Sequence, residues 1–215
     1  MAEARCADLA LVLAIDSSGS IDDSEYALQR HGYANAFRTP KVLAALQGAG
    51  TVDLSVVFWG DSAMPVQVLP WQRVDRRKGA ERLADAIEVA PRQVTGNTAI
   101  GNGLWVALDL LDDPTRCAYR SLINVSGDGV ESLGPRPDGI TLHHSRERAR
   151  AEGVTINALA ISDKNGVLAD WFRKEVITGP GSFVIQITTF ADFADAIAEK
   201  IAREIGPPAL AALQP

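Results

Sequence analysis

Apolar runs of strand length recur along this chain at Leu9 to Ile15, Val52 to Phe58, Tyr119 to Val125, Val154 to Ile161 and Phe183 to Ile187, and most are nearly continuous rather than alternating. Both faces of such a strand must leave water, so each run requires cover on two sides. Helical periods fill the intervals. Ser24 to Phe37 follows the carboxylates Asp22 and Asp23, which suit a helix N-terminus as caps and as charges. Thr98 to Leu111 sets Ile100, Leu104, Ala107, Leu108 and Leu111 on one face. Phe190, Phe193, Ala194, Ile197, Ile201 and Ile205 stripe a last helix, preceded by the cap candidate Thr189 with Asp192 three residues on. Alternating strands and helices imply right-handed crossovers. The expected fold is therefore α/β: a doubly wound, Rossmann-like three-layer sandwich around a mainly parallel sheet, with Val66 to Leu69 as a weaker strand.

A chain of 215 residues, 47% of them hydrophobic, can bury a full core. We expect one domain over 1–215, with its core at about 7–205 and a C-terminal tail at 206–215. The Gly- and Pro-rich stretch Gly129 to Gly139 follows a strand and reads as a rim loop. A net charge of -6 without a dense basic stripe argues against nucleic acid as a partner. The short cluster Arg73, Arg76, Arg77 and Lys78, interrupted by Asp75, reads as a solvated helix start. No apolar stretch reaches the roughly 18–20 residues that cross a bilayer, so no membrane span is expected. The opening Met-Ala-Glu-Ala-Arg lacks a basic and apolar leader, as in a mature exported protein whose signal peptide has been removed.

The chemistry begins where the first apolar run ends. Asp16, Ser18 and Ser20 leave the strand at spacing two, an oxygen-rich half-site for a hard cation such as Mg²⁺, Mn²⁺ or Ca²⁺. Gly96-Asn97-Thr98 and Ser126-Gly127-Asp128-Gly129 supply further oxygens, and Asp16, Thr98 and Asp128 all fall at or near strand ends. In open α/β sheets, ligands gather there, where strand order reverses. Two carboxylates and three hydroxyls leave a divalent ion short of charge and ligands, so water or a partner's acidic group would complete the shell. Glu131 and Asp61 lie on nearby loops, where they are candidates to tune the site electrostatically, but they read foremost as rim residues. His143 and His144 read as a solvated pair opening a helix, and His31 as structural. Trp59, Trp71, Trp105 and Trp171 read as packing, with Trp59 close enough to the ligand edge to be a candidate border of a binding surface.

Cys6 lies ten residues before Asp16, and Cys117 eleven before Asp128. If the two strands are parallel neighbours, both thiols meet at the opposite sheet edge. A bridge is favoured over two unrelated buried thiols, and it would point to an oxidising compartment.

The Asp-x-Ser-x-Ser turn, the Gly-x-Thr at a helix start and the Asp-Gly after an apolar strand resemble the metal-ion-dependent adhesion site (MIDAS) of von Willebrand factor type A (VWA) domains. The five matching positions are Asp16, Ser18, Ser20, Thr98 and Asp128, and the resemblance spans nearly the whole chain. Cys6, Tyr26-Ala27-Leu28-Gln29-Arg30, Phe58-Trp59 and Val125-Ser126-Gly127-Asp128-Gly129 further resemble a group of uncharacterised bacterial exported VWA proteins. The resemblance implies a six-stranded sheet with one short antiparallel edge strand. It also implies Ser18 and Ser20 as direct ligands, Thr98 as a switchable one, and Asp16 and Asp128 acting directly or through water. Mg²⁺ is then the expected ion, with Mn²⁺ and Ca²⁺ as alternatives. The expected function is a monomeric, exported (periplasmic or secreted) protein-binding module that takes a partner's Glu or Asp carboxylate. Ser126-Gly127 departs from the family, where a Thr often precedes the aspartate. The alternatives are a cytoplasmic VWA subunit docking on an ATPase assembly and, less favoured, a Mg²⁺-dependent phosphatase with Asp16 as nucleophile. The second Asp that such an enzyme carries two residues on is Ser18 here.

Overall fold

A computed structural model of the chain describes residues 6–74, 77–132, 140–161 and 166–206. The strands are β1 Leu9–Asp16, β2 Val52–Trp59, β3 Gln67–Arg73, β4 Ser121–Gly127, β5 Thr155–Ile161 and β6 Val184–Ile187. The helices are α1 Asp23–Arg38, α2 Pro40–Ala49, α3 Arg77–Glu88, α4 Ile100–Leu111, α5 Leu142–Ala151, α6 Val167–Trp171 and α7 Phe193–Ile205. One six-stranded sheet runs in the order β3-β2-β1-β4-β5-β6. Among the described residues these strands pair in parallel except β2 with β3.

The continuous apolar strands bury both faces, as their sequence requires. Leu9, Leu11, Leu13 and Ile15 of β1 face a core closed by α1, α2, α3 and α7. Val12 and Ala14 face a second core with α4, α5 and α6. Edge strand β3 differs from these. It alternates half-buried and exposed residues, extends beyond the expected Val66 to Leu69, and carries Pro70 where its register on β2 shifts between Leu54 and Val56. A proline donates no ladder bond, so it is tolerated at such an edge irregularity. Ser55 Oγ donates to Leu69 O at 2.8 Å beside the shift.

The expected strand at Tyr119 begins two residues later, at Ser121. Ala118 still bridges Ala7, but Tyr119 is exposed. Asp22 caps α1 in a reciprocal box with Glu25. The last helix departs from expectation: a 3-10 turn, Phe190–Asp192, precedes α7, and Thr189 Oγ1 donates to Asp192 Oδ2 rather than capping a backbone N–H. Arg73 ends β3 and forks onto Asp53 at 2.9 and 3.1 Å, while Arg76 lies outside the described residues. The tail from 207 onward and residues 133–139 of the rim loop lie outside them as well.

Cys6 and Cys117 form a disulfide, with Cα atoms 4.7 Å apart, before β1 and β4 at the sheet's N-terminal edge. Among the described residues no helix is long and apolar enough to cross a membrane.

Candidate metal centre

Strand order reverses between β1 and β4, which lie side by side. Their C-terminal ends therefore mark the switch point at which open α/β sheets bind ligands. Asp16 closes β1 and is fully buried. Its Oδ1 accepts from Ser18 N at 2.7 Å, curling the next residues back over the strand end. The Ser18 and Ser20 hydroxyls then lie 3.2 Å apart, and Ser20 Oγ donates to Asp128 Oδ1 at 2.6 Å. Thr98 Oγ1 donates to Ser18 Oγ at 3.4 Å. The five side chains singled out in the sequence thus form one connected oxygen cluster. Asp16, Ser18 and Thr98 are buried, Asp128 is half-buried, and Ser20 is exposed.

Three loops are locked together to make this cluster. Gly19 N donates to Gly96 O at 2.6 Å, joining the serine turn to the threonine loop. Gly96 has φ +90°, and a Cβ there would lie 2.7 Å from Asp61 Cβ, so glycine is required on both counts. Asp61 Oδ2 accepts from Asn97 Nδ2 at 2.7 Å, a role beyond that of a rim residue. On the third loop, Ser132 N donates to Thr98 O at 2.9 Å and Ser132 Oγ accepts from Thr98 N at 3.0 Å.

Burial pushes the Asp16 carboxyl up to about 7, against the opposing Ser18 hydrogen bonds and with the Asp128 charge adding to the rise. Burial also raises Asp128, opposed by the Ser20 hydroxyl, while Glu25 nearby adds to the rise. Asp16 Oδ2 is buried without a hydrogen-bond partner. An unsatisfied buried carboxylate oxygen is costly, and a cation among these oxygens would relieve it. The donor set fits a hard cation. Among the described residues no group of three or more His, Cys, Asp or Glu gathers in metal-binding reach.

Sequence reasoning missed Arg92. Its guanidinium donates to Ser17 O, Ser18 O and Ile21 O at 3.2, 2.9 and 2.6 Å and pairs with Asp23, pinning the serine turn from beneath. An isolated arginine in a loop carried no signal for this. Gln29, also missed, donates to Asp16 O at 3.1 Å from α1. Trp59 lies fully buried as the last residue of β2 and does not border the surface. His143 and His144 are exposed, and His31 pairs with Glu88 on the surface.

A family model described as Protein of unknown function (DUF1194) matches residues 5–209. No curated protein matches. Among solved structures, the chain is similar to the pilus adhesin SpaC from Lactobacillus rhamnosus GG, with 15% identity and TM-score 0.66 over 94% of this chain and 31% of that one. It is similar to proximal thread matrix protein 1 from the mussel byssus with a zinc-occupied MIDAS motif, with 17% identity and TM-score 0.61 over 92% and 47%. It is also similar to the three N-terminal domains of the type V pili tip protein Mfa5 from Porphyromonas gingivalis, with 15% identity and TM-score 0.59 over 89% and 49%. The chain spans about a third to a half of the length of these structures. At such identities the likeness shows the fold, which is VWA-like.

Proposed function

The chain belongs to the DUF1194 family, and we propose from the site itself that this member is an exported, metal-dependent protein-binding module. Asp16, Ser18, Ser20, Thr98 and Asp128 hold a divalent cation, with Mg²⁺ the preferred ion, at the C-terminal edge of β1 and β4. The observation that carries this reading is the buried, partnerless Asp16 Oδ2 inside a connected cluster of five oxygen-bearing side chains.

A cation held there would supply Lewis acidity for a Glu or Asp of a partner protein; Asp16 and Asp128 would provide the counter-charge, Ser18 and Ser20 neutral oxygens, and Thr98 a further hydroxyl on partner binding. Binding rather than turnover follows from the residue set: the position where an aspartyl phosphatase carries a second acid is the neutral Ser18. Export is supported by the Cys6–Cys117 bridge, since disulfides persist in oxidising compartments.

Calorimetric titration with Mg²⁺ and Mn²⁺ tests the reading. Wild type is expected to bind one equivalent, and Asp16→Ala and Asp128→Ala to bind none while keeping the wild-type circular dichroism. Unchanged affinity in both variants would contradict it.

A further inference from the structure

Glu131 lies three residues beyond Asp128 in the loop that leaves β4. Its Oε1 accepts from Gly101 N at 2.9 Å, in the first turn of α4. Both of its oxygens accept from Leu142 N, at 3.1 and 3.0 Å, the first residue of α5. Two helices therefore direct their N-terminal backbone donors at one side chain. Each helix start leaves N–H groups without intrahelical partners and carries partial positive charge, so a carboxylate between two of them is held by hydrogen bonds and by both dipoles.

The approach of the two helices is close enough to dictate the residue. A Cβ on Gly101 would lie 2.4 Å from Leu142 N and from Thr141 C, and 2.8 Å from Glu131 Oε1. Ser145 Oγ ties the same junction by donating to Gly101 O at 2.6 Å. Ser132, the next residue after Glu131, makes the reciprocal pair with Thr98 described above. The loop carrying Asp128 is thus fastened to Thr98 through Ser132, and through Glu131 to the first turns of α4 and α5.

We propose that Glu131 is a positioning residue: a carboxylate clasp between the α4 and α5 N-termini that fixes the Asp128 loop against Thr98 and so sets the affinity of the centre for its cation. This rests on the metal-binding reading above. It predicts that α5, which contributes no ligand, is mechanically joined to the site, so a displacement of its first turn is felt at Asp128. Outer partners that orient ligands typically change metal affinity by about 10–100-fold when removed.

The test is Glu131→Gln, which keeps shape but removes the charge and one of the two acceptor oxygens. Mn²⁺ binding is followed by electron paramagnetic resonance, and amide hydrogen exchange is followed in metal-free protein. We expect Glu131→Gln to bind Mn²⁺ at least about tenfold more weakly, with faster exchange confined to residues 98–101 and 142–145 and unchanged protection in β5 and α7. Glu131→Asp, which keeps the charge on a shorter arm, is expected to recover part of the affinity that the amide loses. Wild-type affinity in Glu131→Gln, with wild type itself binding, overturns the clasp and leaves the metal reading standing. Faster exchange spread through β5 and α7 also overturns it, by making Glu131 a general stabiliser. Absence of Mn²⁺ binding in wild type overturns both readings, and is distinguished by the silent wild-type spectrum.

Discussion

The Asp16 carboxyl ends a strand inside the sheet, where burial favours its neutral form, yet a cation needs it ionised. Its proton is held more tightly in the folded chain than in the unfolded one. Its contribution to metal-free stability is therefore complete below the ordinary value of 3.8 and is lost as the pH rises through about 7. Under the proposed function a cation would displace that proton, so the thermal shift produced by saturating Mg²⁺ should grow from pH 5 to pH 8; a shift independent of pH would contradict this. Asp16→Asn should raise metal-free stability at pH 8 by about 1–3 kcal/mol in urea unfolding while abolishing the metal response. Arg92 acts from the other side of the same turn. Arg92→Ala removes the guanidinium donor from Ser17 O, Ser18 O and Ile21 O, of which Ser18 O keeps Ile21 N, and should cost about 1–3 kcal/mol, read in the same unfolding experiment. Asp16, Ser18 and Ser20 were legible because their spacing is local and an apolar run marks their strand end, and Thr98 and Asp128 because a helix start and a second apolar run mark theirs. Arg92 was not, since its role depends on a contact to residues about 70 positions away in sequence.

Among the elements, strands were read best where burial on both faces left a continuous or nearly continuous apolar run, as in β1, or in β2 and β5 despite Asp53, Ser55 and Asn157. β3 was read short because an edge strand shows weaker patterning and Pro70 interrupts it. The stripe of α7 placed Phe193, Ile197, Ile201 and Ile205 correctly in the core, but periodicity could not foresee Lys200 and Glu204 beside them. Lys200 Nζ donates to Glu204 Oε1 at 2.6 Å, and Glu204 Oε2 accepts from Asn124 Nδ2 at 2.6 Å. Tyr33 OH links Asn124 and Ser126, each at 3.1 Å, so the network reaches β4 two residues before Asp128. Ser126, which departs from the resembled family, is thereby held from beneath. Lys200→Met should cost about 3–5 kcal/mol in denaturant, because it strands a buried carboxylate. The Cys6–Cys117 bridge is expected to behave differently. It closes a separation of 111 residues at the edge opposite the site, so Cys6→Ser with Cys117→Ser should lower stability by about 4–5 kcal/mol and leave Mn²⁺ affinity unchanged.

For the whole molecule, the sheet order decides where chemistry can occur. With β1 and β4 adjacent and the chain running outward in both directions, a single rim collects the loops after β1 and β4 and the loop entering α4. Alternating strands and helices implied a mainly parallel sheet with a ligand rim, but the adjacency of β1 and β4, which brings Asp16, Thr98 and Asp128 together, was only a condition of that reading and is supplied by the structure. The joining of α4 and α5 through Glu131 was not legible, because backbone donors at helix starts leave no mark in the sequence. The functional account requires those converging oxygens to take a hard cation. Anomalous diffraction from crystals grown with Mn²⁺ tests this most directly. One strong peak is expected within about 2.0–2.6 Å of the Ser18 and Ser20 hydroxyls, reached by Asp16 and Asp128 directly or through water. A site left without a peak at saturating Mn²⁺, or a peak elsewhere on the molecule alone, would contradict it.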